Sequence, residues 1–439
     1  MNTTDPGNPV PQSRLIRRRS VFRAAAVAAA GVATAPARLQ SASQSPSEKL
    51  NLAFVGVGGR GRANVGALAG QNFVAFADVD DHRAGEVFEK YPSVRRYRDY
   101  RIMLDDLGNR LDGVVISTPD HMHFHPTLAA MQLGLHVYVE KPLAHDLHET
   151  RILTNYARTA RLATQLGAQR HAYDNMRRVV ELIQTGTIGD VTEVWSWVTG
   201  SRGMPKIPAG RPSVPAHLDY DLWTGAVKHR PYHPSVCPYG WRFWWHYGSG
   251  ETGNWGCHTL DIPFWALDLK YPVRVDANGP PVDPERTPTS MQQTFQFPAR
   301  GNKPCVTLHW HHGIPKILQQ LGLPAKENNT LFIGSDGMLL CGFHDRTLLP
   351  EDRFADVKAP PRTIPDSPGF YQEWVNACKG QGPATLDFSY AGPLTETALL
   401  GNVAYRAGGF DWDGDSMSAG SNQQANGMLK TEYRRGWEI

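Results

Sequence analysis

Three things are scarce in this chain: long apolar runs, cysteine, and an excess of charge of either sign. The Ala-rich run Ala24 to Ala35 falls short of the ~20 apolar residues that a bilayer-crossing helix needs, so no transmembrane span is expected. Five cysteines (Cys237, Cys257, Cys305, Cys341, Cys378) show no paired metal-ligand spacing. Their odd, scattered placement argues against a disulfide framework; it leaves a single bridge open and favours buried free thiols. The formal net charge of +3 is concentrated at one end: Arg14, Arg17, Arg18, Arg19 and Arg23 against Asp5 give residues 1–37 a net of +4, so the remainder carries −1. That balance offers no basic face to nucleic acid. There is no internal repeat.

What is present begins with a targeting pattern. Arg18-Arg19-Ser20-Val21-Phe22-Arg23 precedes the Ala-rich run, Ala35-Pro36-Ala37 is a small-residue cleavage site, and a Pro/Ser/Gln-rich stretch runs to Ser47. The order fits a twin-arginine export signal and linker over 1–48, placing the mature protein in the periplasm or beyond the cytoplasm without a membrane span. At 439 residues and 41% hydrophobic, the rest has ample material for two domains.

From Leu50 to about Gly167 short apolar runs alternate with helical periodicity. Strands are predicted over 51–57, 73–78, 112–117, 135–139 and 162–166, and helices over 61–70, 81–90, 99–107, 124–134 and 146–160. Such alternation predicts a doubly wound parallel sheet, an α/β Rossmann domain over 49–170. A further helix is predicted over 173–185. Beyond it the pattern changes to half-exposed strands at 191–199, 290–297, 304–311 and 330–341, separated by a Pro/Gly/aromatic stretch over 200–256. This predicts an α+β domain over 171–439 with an open-faced, mostly antiparallel sheet.

Gly56-Val57-Gly58-Gly59-Arg60-Gly61 follows the strand Leu52-Ala53-Phe54-Val55 and opens a helix. Glycine suits a tight turn, close approach of backbone to a pyrophosphate, and close packing of helix on strand, with the phosphates on N–H groups at the helix start. Asp78 ends the next strand, 17 residues past Gly61. A carboxylate there accepts hydrogen bonds from the adenosine ribose hydroxyls and repels a 2′-phosphate, which favours NAD over NADP. Arg60 and Arg83 are the two side chains able to meet a phosphate instead.

Ile116-Ser117-Thr118-Pro119-Asp120-His121 and Glu140-Lys141-Pro142 close two later strands. Ligands of an open parallel sheet gather at the carboxyl ends of its strands. Thr118, Pro119 and His121 are therefore expected to border the nicotinamide ribose, with Glu140 at the same edge. Lys141 is expected beside the nicotinamide, as proton or hydrogen-bond donor to the reacting oxygen. His121, His123 and His125 alternate but have no carboxylate or cysteine at ligand spacing, so no metal site is expected. His309, His311 and His312 are read as strand residues lining a cleft.

In the second domain, glycines frame Gly253-Asn254-Trp255-Gly256-Cys257-His258-Thr259-Leu260-Asp261 at a helix start. His258 and Asp261 are three apart and share a helix face, the arrangement of an imidazole base oriented by a carboxylate. A buried histidine satisfied by a carboxylate for structure alone fits the same spacing. The aromatic run Tyr239 to Tyr247 suits the flat faces of sugar rings. From it Trp241 and Arg242, with His171, are the candidate substrate contacts.

These residues together are similar to the glucose-fructose oxidoreductase / inositol dehydrogenase / rhizopine-catabolism family of NAD(P)-dependent oxidoreductases. The resemblance spans nearly everything from Leu50 to Ile439. Its carriers are Gly56 to Gly61, Thr118-Pro119-Asp120-His121, Glu140-Lys141-Pro142, Gly256-Cys257-His258 with Asp261, and the tail Tyr433 to Glu438. It implies a Rossmann domain plus an open-faced sheet domain used for homo-oligomer contacts, a carbohydrate substrate, and catalytic roles for Lys141 and for His258 as base. Many family dehydrogenases carry an aspartate four residues before that histidine, where this chain has Asn254. Asparagine positions a hydroxyl but cannot share a proton.

Some relatives in that family are glycoside hydrolases that oxidise, eliminate and re-reduce with a retained cofactor. Export away from the cytoplasmic NAD pool likewise favours a cofactor that stays bound. Three readings remain open: a sugar or glycoside oxidoreductase, an NAD-dependent glycoside hydrolase, and a sugar-binding protein with structural NAD.

Overall fold

The computed structural model describes residues 49–324 and 330–439. The export signal and linker expected over 1–48 lie outside the described residues. Six strands form the first sheet: β1 (Asn51–Val55), β2 (Asn72–Ala77), β3 (Arg95–Tyr97), β4 (Gly113–Ile116), β5 (His136–Glu140) and β6 (Thr164–Gly167), in the order β3-β2-β1-β4-β5-β6 with every pairing parallel. Their near-continuous apolar runs are what a sheet covered on both faces requires; Phe54, Phe76, Val115, Ile116, Val137 and Val139 are fully buried.

Five helices cross between these strands: α1 (Arg60–Ala67), α2 (Asp81–Lys90), α3 (Tyr100–Leu107), α4 (Phe124–Gln132) and α5 (Leu147–Ala160). Asp80, Asp99 and Asp146 cap α2, α3 and α5 by accepting hydrogen bonds from backbone N–H groups of the first turn. The strand order reverses between β1 and β4, which opens a crevice at their carboxyl ends.

The second sheet has eight strands: β7 (Val191–Val198), β8 (Arg274–Asn278), β9 (Met291–Phe297), β10 (Val306–His312), β11 (Thr330–Gly334), β12 (Met338–Cys341), β13 (Arg346–Leu349) and β14 (Phe410–Asp411). Their order is β13-β12-β11-β7-β10-β9-β8-β14, antiparallel except between β7 and β10. The segment 330–341, read as one strand, is the hairpin β11–β12: Ser335-Asp336-Gly337 supplies turn chemistry inside the apolar run, and Gly334 N–H donates to the Gly337 carbonyl at 2.9 Å. The short strands β3, β8, β13 and β14 carry too few residues to show a period.

One face of this sheet packs on α6 (Asp174–Gln184) and on the helices Asp261–Leu267 and Phe388–Ala407. On the other face Leu318 covers Trp197.

Two long returns tie the halves together. The segment 199–250 leaves the second sheet and lies across the nucleotide domain as a strap with its own apolar cluster, Leu218, Tyr220, Trp223, Val236, Trp241, Trp244 and Tyr247. It is pinned where Asp219 N–H donates to Val79 O (2.8 Å), Asp81 N–H to His217 O (3.0 Å), and the His217 ring meets Asp80 (2.9 Å). From the far end of the chain Trp374, Leu386, Phe388 and Trp437 enter the core of the first domain. All five cysteines are free thiols. Among the described residues no helix is long and apolar enough to cross a membrane.

Candidate functional site

A single cleft of about 700 Å³ runs from the glycine turn after β1, past the ends of β4 and β5, to the helical segment 252–258. At its first end the cradle is backbone. Gly56 sits at φ +80° and Gly59 at φ +54°, and a Cβ on Gly61 would lie 2.0 Å from the Gly56 carbonyl oxygen. No L side chain fits these places, so the turn keeps bare backbone at the start of α1.

Asp78 closes that turn from below. One carboxylate oxygen accepts from Val57 N–H (2.8 Å) and Gly58 N–H (3.1 Å), the other from Asp80 N–H (3.0 Å). Burial pushes its pKa up, against the lowering by these bonds. Asp78 therefore shapes the glycine turn as well as facing the cleft. The glycine cradle, the N–H groups at the start of α1 and a carboxylate at the end of β2 together fit a dinucleotide.

Glu140 is a hub between β5 and α1. Its Oε1 accepts from Arg60 Nε (3.1 Å), Asn64 Nδ2 (3.0 Å) and Gln169 Nε2 (2.9 Å). Gly167 leaves room for it: a Cβ there would lie 2.7 Å from the Glu140 carboxyl carbon and push the carboxylate aside. Arg60 is thereby turned toward Glu140 and Tyr371 while still lining the cleft. Thr118 and Pro119 line it too, the Thr118 hydroxyl donating to Met122 O (2.8 Å).

His121 does not border the cleft. It is 1% exposed, its ring nitrogens face the carbonyl oxygens of Trp223 (2.9 Å) and Tyr247 (3.3 Å), and burial pushes its pKa down to about 3. It fastens the strap. The cleft position expected for it belongs to His123, whose ring bridges Thr118 O (2.9 Å) and Pro142 O (2.6 Å). His125 meets the Trp437 carbonyl at 3.0 Å. Among the described residues no group of three or more His, Cys, Asp or Glu is arranged to hold a metal ion.

At the other end Lys141 Nζ donates to Asn254 Oδ1 at 2.9 Å. Burial pulls the Lys141 pKa below its ordinary value, against the pull of Asp120 and Glu140. Asn254 lies in a π-helical turn, Thr252–Gly256, a widened geometry frequent at functional sites. A Cβ on Gly253 would lie 1.7 Å from Ser249 Oγ, so glycine lets this turn pack against Ser249. Asn254 Nδ2 donates to Glu251 Oε2 (3.3 Å), and Glu251 Oε1 is ion-paired with Arg202 Nε (2.6 Å).

His258 faces the same cleft, and burial, reinforced by Lys141 and Arg170, holds its pKa well below the ordinary histidine value. At neutral pH it is an uncharged imidazole able to accept a proton. Arg170, between the rings of Trp255 (4.5 Å) and Phe343 (4.3 Å), lines the wall beside it.

The expected pairing of His258 with Asp261 is not formed. Asp261 accepts from His171 Nδ1 (2.9 Å) and from the Tyr390 hydroxyl (2.7 Å), and His258 Nδ1 has no partner among the described residues. After the π-helical turn His258 opens to the cleft while Asp261 turns to the core. His171 is likewise not a substrate contact: it is 1% exposed, stacked on Trp265 at 4.1 Å, and outside the cleft lining.

Trp241 and Arg242 do line the cleft, with the Arg242 guanidinium 4.2 Å from the Trp241 ring centre. His309, His311 and His312 lie on β10 away from it, His309 stacked on Trp195 at 3.9 Å. Sequence reading missed Arg170, Tyr173, His123 and Tyr371 as cleft residues. For Arg170 and Tyr173 the signal was their place just after β6, at the carboxyl edge where ligands gather.

The sequence profile of the oxidoreductase family with an NAD-binding Rossmann fold matches residues 50–168, and that of the family's C-terminal alpha/beta domain matches 183–439. Similar curated proteins include inositol 2-dehydrogenase 1 of Saccharopolyspora erythraea (31% identical over 32% of this chain and 43% of that protein). A glycosyl hydrolase family 109 protein of Solibacter usitatus is 30% identical over 40% of this chain and 44% of its own length. The chain thus spans less than half the length of these relatives. Among solved structures, the WlbA dehydrogenase of Bordetella pertussis in complex with NADH and UDP-GlcNAcA shares the fold at a TM-score of 0.59, with 15% identity over 83% of this chain and 98% of that one.

Proposed function

Because the chain belongs to the oxidoreductase family that joins an NAD-binding Rossmann fold to a C-terminal alpha/beta domain, we propose that it oxidises a hydroxyl of a sugar, sugar derivative or glycoside with a tightly held NAD. The observation that carries this reading is one cleft shared by the glycine cradle, Asp78, Lys141, Asn254 and His258. Gly56, Gly58, Gly59, Gly61, Asp78, Thr118 and Pro119 would hold the dinucleotide; NAD, when bound, supplies the hydride acceptor. His258 takes the hydroxyl proton at its imidazole. Lys141, fixed by Asn254, donates a hydrogen bond to the same oxygen and stabilises the charge that develops there. Trp241 and Arg242 orient the ring.

Retention of the cofactor is supported by the strap over 199–250, whose Leu222, Trp223, Pro238 and Trp241 wall the cleft. With the basic, Ala-rich start of the chain it favours an exported enzyme loaded with NAD before transport. Asp78 favours NAD over NADP. Association through the outer face of the second sheet, where Trp195 stacks on His309, completes the reading.

A second reading, a glycoside hydrolase using NAD transiently, is favoured by Asn254 in place of an acid and by the same strap. The purified protein should be offered myo-inositol, D-xylose and p-nitrophenyl glycosides, following nicotinamide absorbance and product mass. A ketone product with reduced cofactor supports the oxidoreductase, and simple glycoside cleavage supports the hydrolase. Bound NAD that no sugar reduces or consumes sinks both.

A further inference from the structure

We propose that Glu251 is a positioning residue for the reacting end of the cleft, acting through the Asn254 amide on Lys141. This rests on the reading that Lys141 and His258 meet the substrate.

Lys141 Nζ has only donors, so Asn254 must present its carbonyl oxygen there, at 2.9 Å. The Asn254 amide nitrogen, at the opposite side, then needs an acceptor, and Glu251 Oε2 provides it at 3.3 Å. The remaining carboxylate oxygen faces Arg202 Nε at 2.6 Å. Ammonium, amide and carboxylate thus alternate donor and acceptor, and the guanidinium neutralises the far carboxylate oxygen as an ion pair without hydrogen-bond geometry.

Rotating the amide half a turn would set its N–H groups against the ammonium and its oxygen against the carboxylate. The two charges therefore leave one orientation. The Glu251 side chain is only 1% exposed, and the Arg202 pair offsets the cost of burying it. A neutral asparagine can hold the lysine because a carboxylate one turn earlier holds the asparagine.

A fold contact and a positioning role differ in one respect: only the second predicts which double variants recover turnover. In Glu251→Gln the single acceptor oxygen must serve both Asn254 and Arg202, so one of them loses its partner. In Asn254→Asp two carboxylates face each other. The double variant Glu251→Gln/Asn254→Asp removes the conflict: the Gln oxygen faces Arg202, its NH2 donates to the new aspartate, and that aspartate accepts from Lys141.

Turnover is measured on the cofactor-loaded protein with whichever of myo-inositol, D-xylose or p-nitrophenyl glycosides it uses fastest, with melting temperature alongside. Each single variant should lose about tenfold or more in kcat, and the double should return to within about threefold of the parent. A second route keeps the test alive if Asn254→Asp does not fold: Arg202→Met added to Glu251→Gln frees the Gln oxygen for Asn254 and should recover most of the loss.

Additive losses in both doubles overturn the proposal, and so does recovery of melting temperature without recovery of kcat. Lys141→Ala run in parallel separates the levels. If it stays active, the site reading fails; if it is inactive while the doubles are additive, only the role of Glu251 fails.

Discussion

The carboxylate of Asp261 holds the imidazole of His171 at 2.9 Å, while His258, three positions before Asp261 in the chain, has no carboxylate partner among the described residues. The histidine that a carboxylate orients is the buried one, and the histidine that faces the cleft is kept neutral by burial beside Lys141 and Arg170. On the proposed reading catalysis falls to one histidine and architecture to the other, and the two should respond differently to substitution.

His258→Ala should abolish most turnover and shift the melting temperature little. Asp261→Asn removes the acceptor shared by His171 and Tyr390, and should cost about 3 kcal/mol, a fall of roughly 5–10 °C in melting temperature. Calorimetry and turnover on both variants check the division, which fails if Asp261→Asn melts like the parent.

Lys141→Ala should reduce kcat by at least about a hundredfold, the scale of an acid–base and electrostatic contact. Affinity for NADH, read by fluorescence titration, should stay within about threefold, because the glycine cradle and Asp78 are untouched. Unchanged turnover would falsify the role of Lys141.

The pH profile follows from two shifts. A base works deprotonated; burial lowers the pKa of His258, so the acid limb of kcat/KM should fall below the ordinary histidine value of about 6.5. A lysine donor works protonated; burial lowers its pKa too, so the alkaline limb should fall below the ordinary lysine value of about 10.4. An acid limb at or above neutrality contradicts the burial of His258.

Arg434 anchors the strap from the C-terminal tail. Its guanidinium donates to the Gly225 carbonyl, to the Asp221 side chain (2.5 Å) and to the Asp221 carbonyl (2.7 Å). Arg434→Ala should speed NADH release by about tenfold or more while leaving turnover of the loaded enzyme close to the parent. Stopped-flow displacement measures it. An unchanged release rate argues that the strap does not retain the cofactor.

Gly61→Ala sets a methyl group 2.0 Å from the Gly56 carbonyl oxygen, a clash only backbone movement can relieve. NADH affinity should fall at least about tenfold. An isothermal titration indistinguishable from the parent removes the close-packing argument for this turn.

The nucleotide end was legible in the sequence because backbone constraints write themselves into residue type. Gly56, Gly61 and Asp78 each answer to a local requirement within thirty residues of chain. The place of Lys141 in the cleft was legible from its position at the end of an apolar strand. His171 and Asp261 were not, because their pairing joins positions ninety apart and helical spacing alone offered a nearer partner. His121 shows the same limit: its carbonyl partners come from the strap, a stretch with no periodicity to read. In β11–β12 a run of apolar residues hid a hairpin that only the turn chemistry of Ser335-Asp336-Gly337 could divide.

The nucleotide domain draws part of its core from late in the chain: Trp374, Leu386 and Phe388 pack into it, and Trp437 both packs there and lines the cleft. On a ribosome these residues emerge more than two hundred positions after β6. The emerging first domain therefore cannot complete its interior during synthesis. Its cofactor cleft lacks part of its wall until residue 437 has been made, so the dinucleotide site is complete only once both domains have been synthesised.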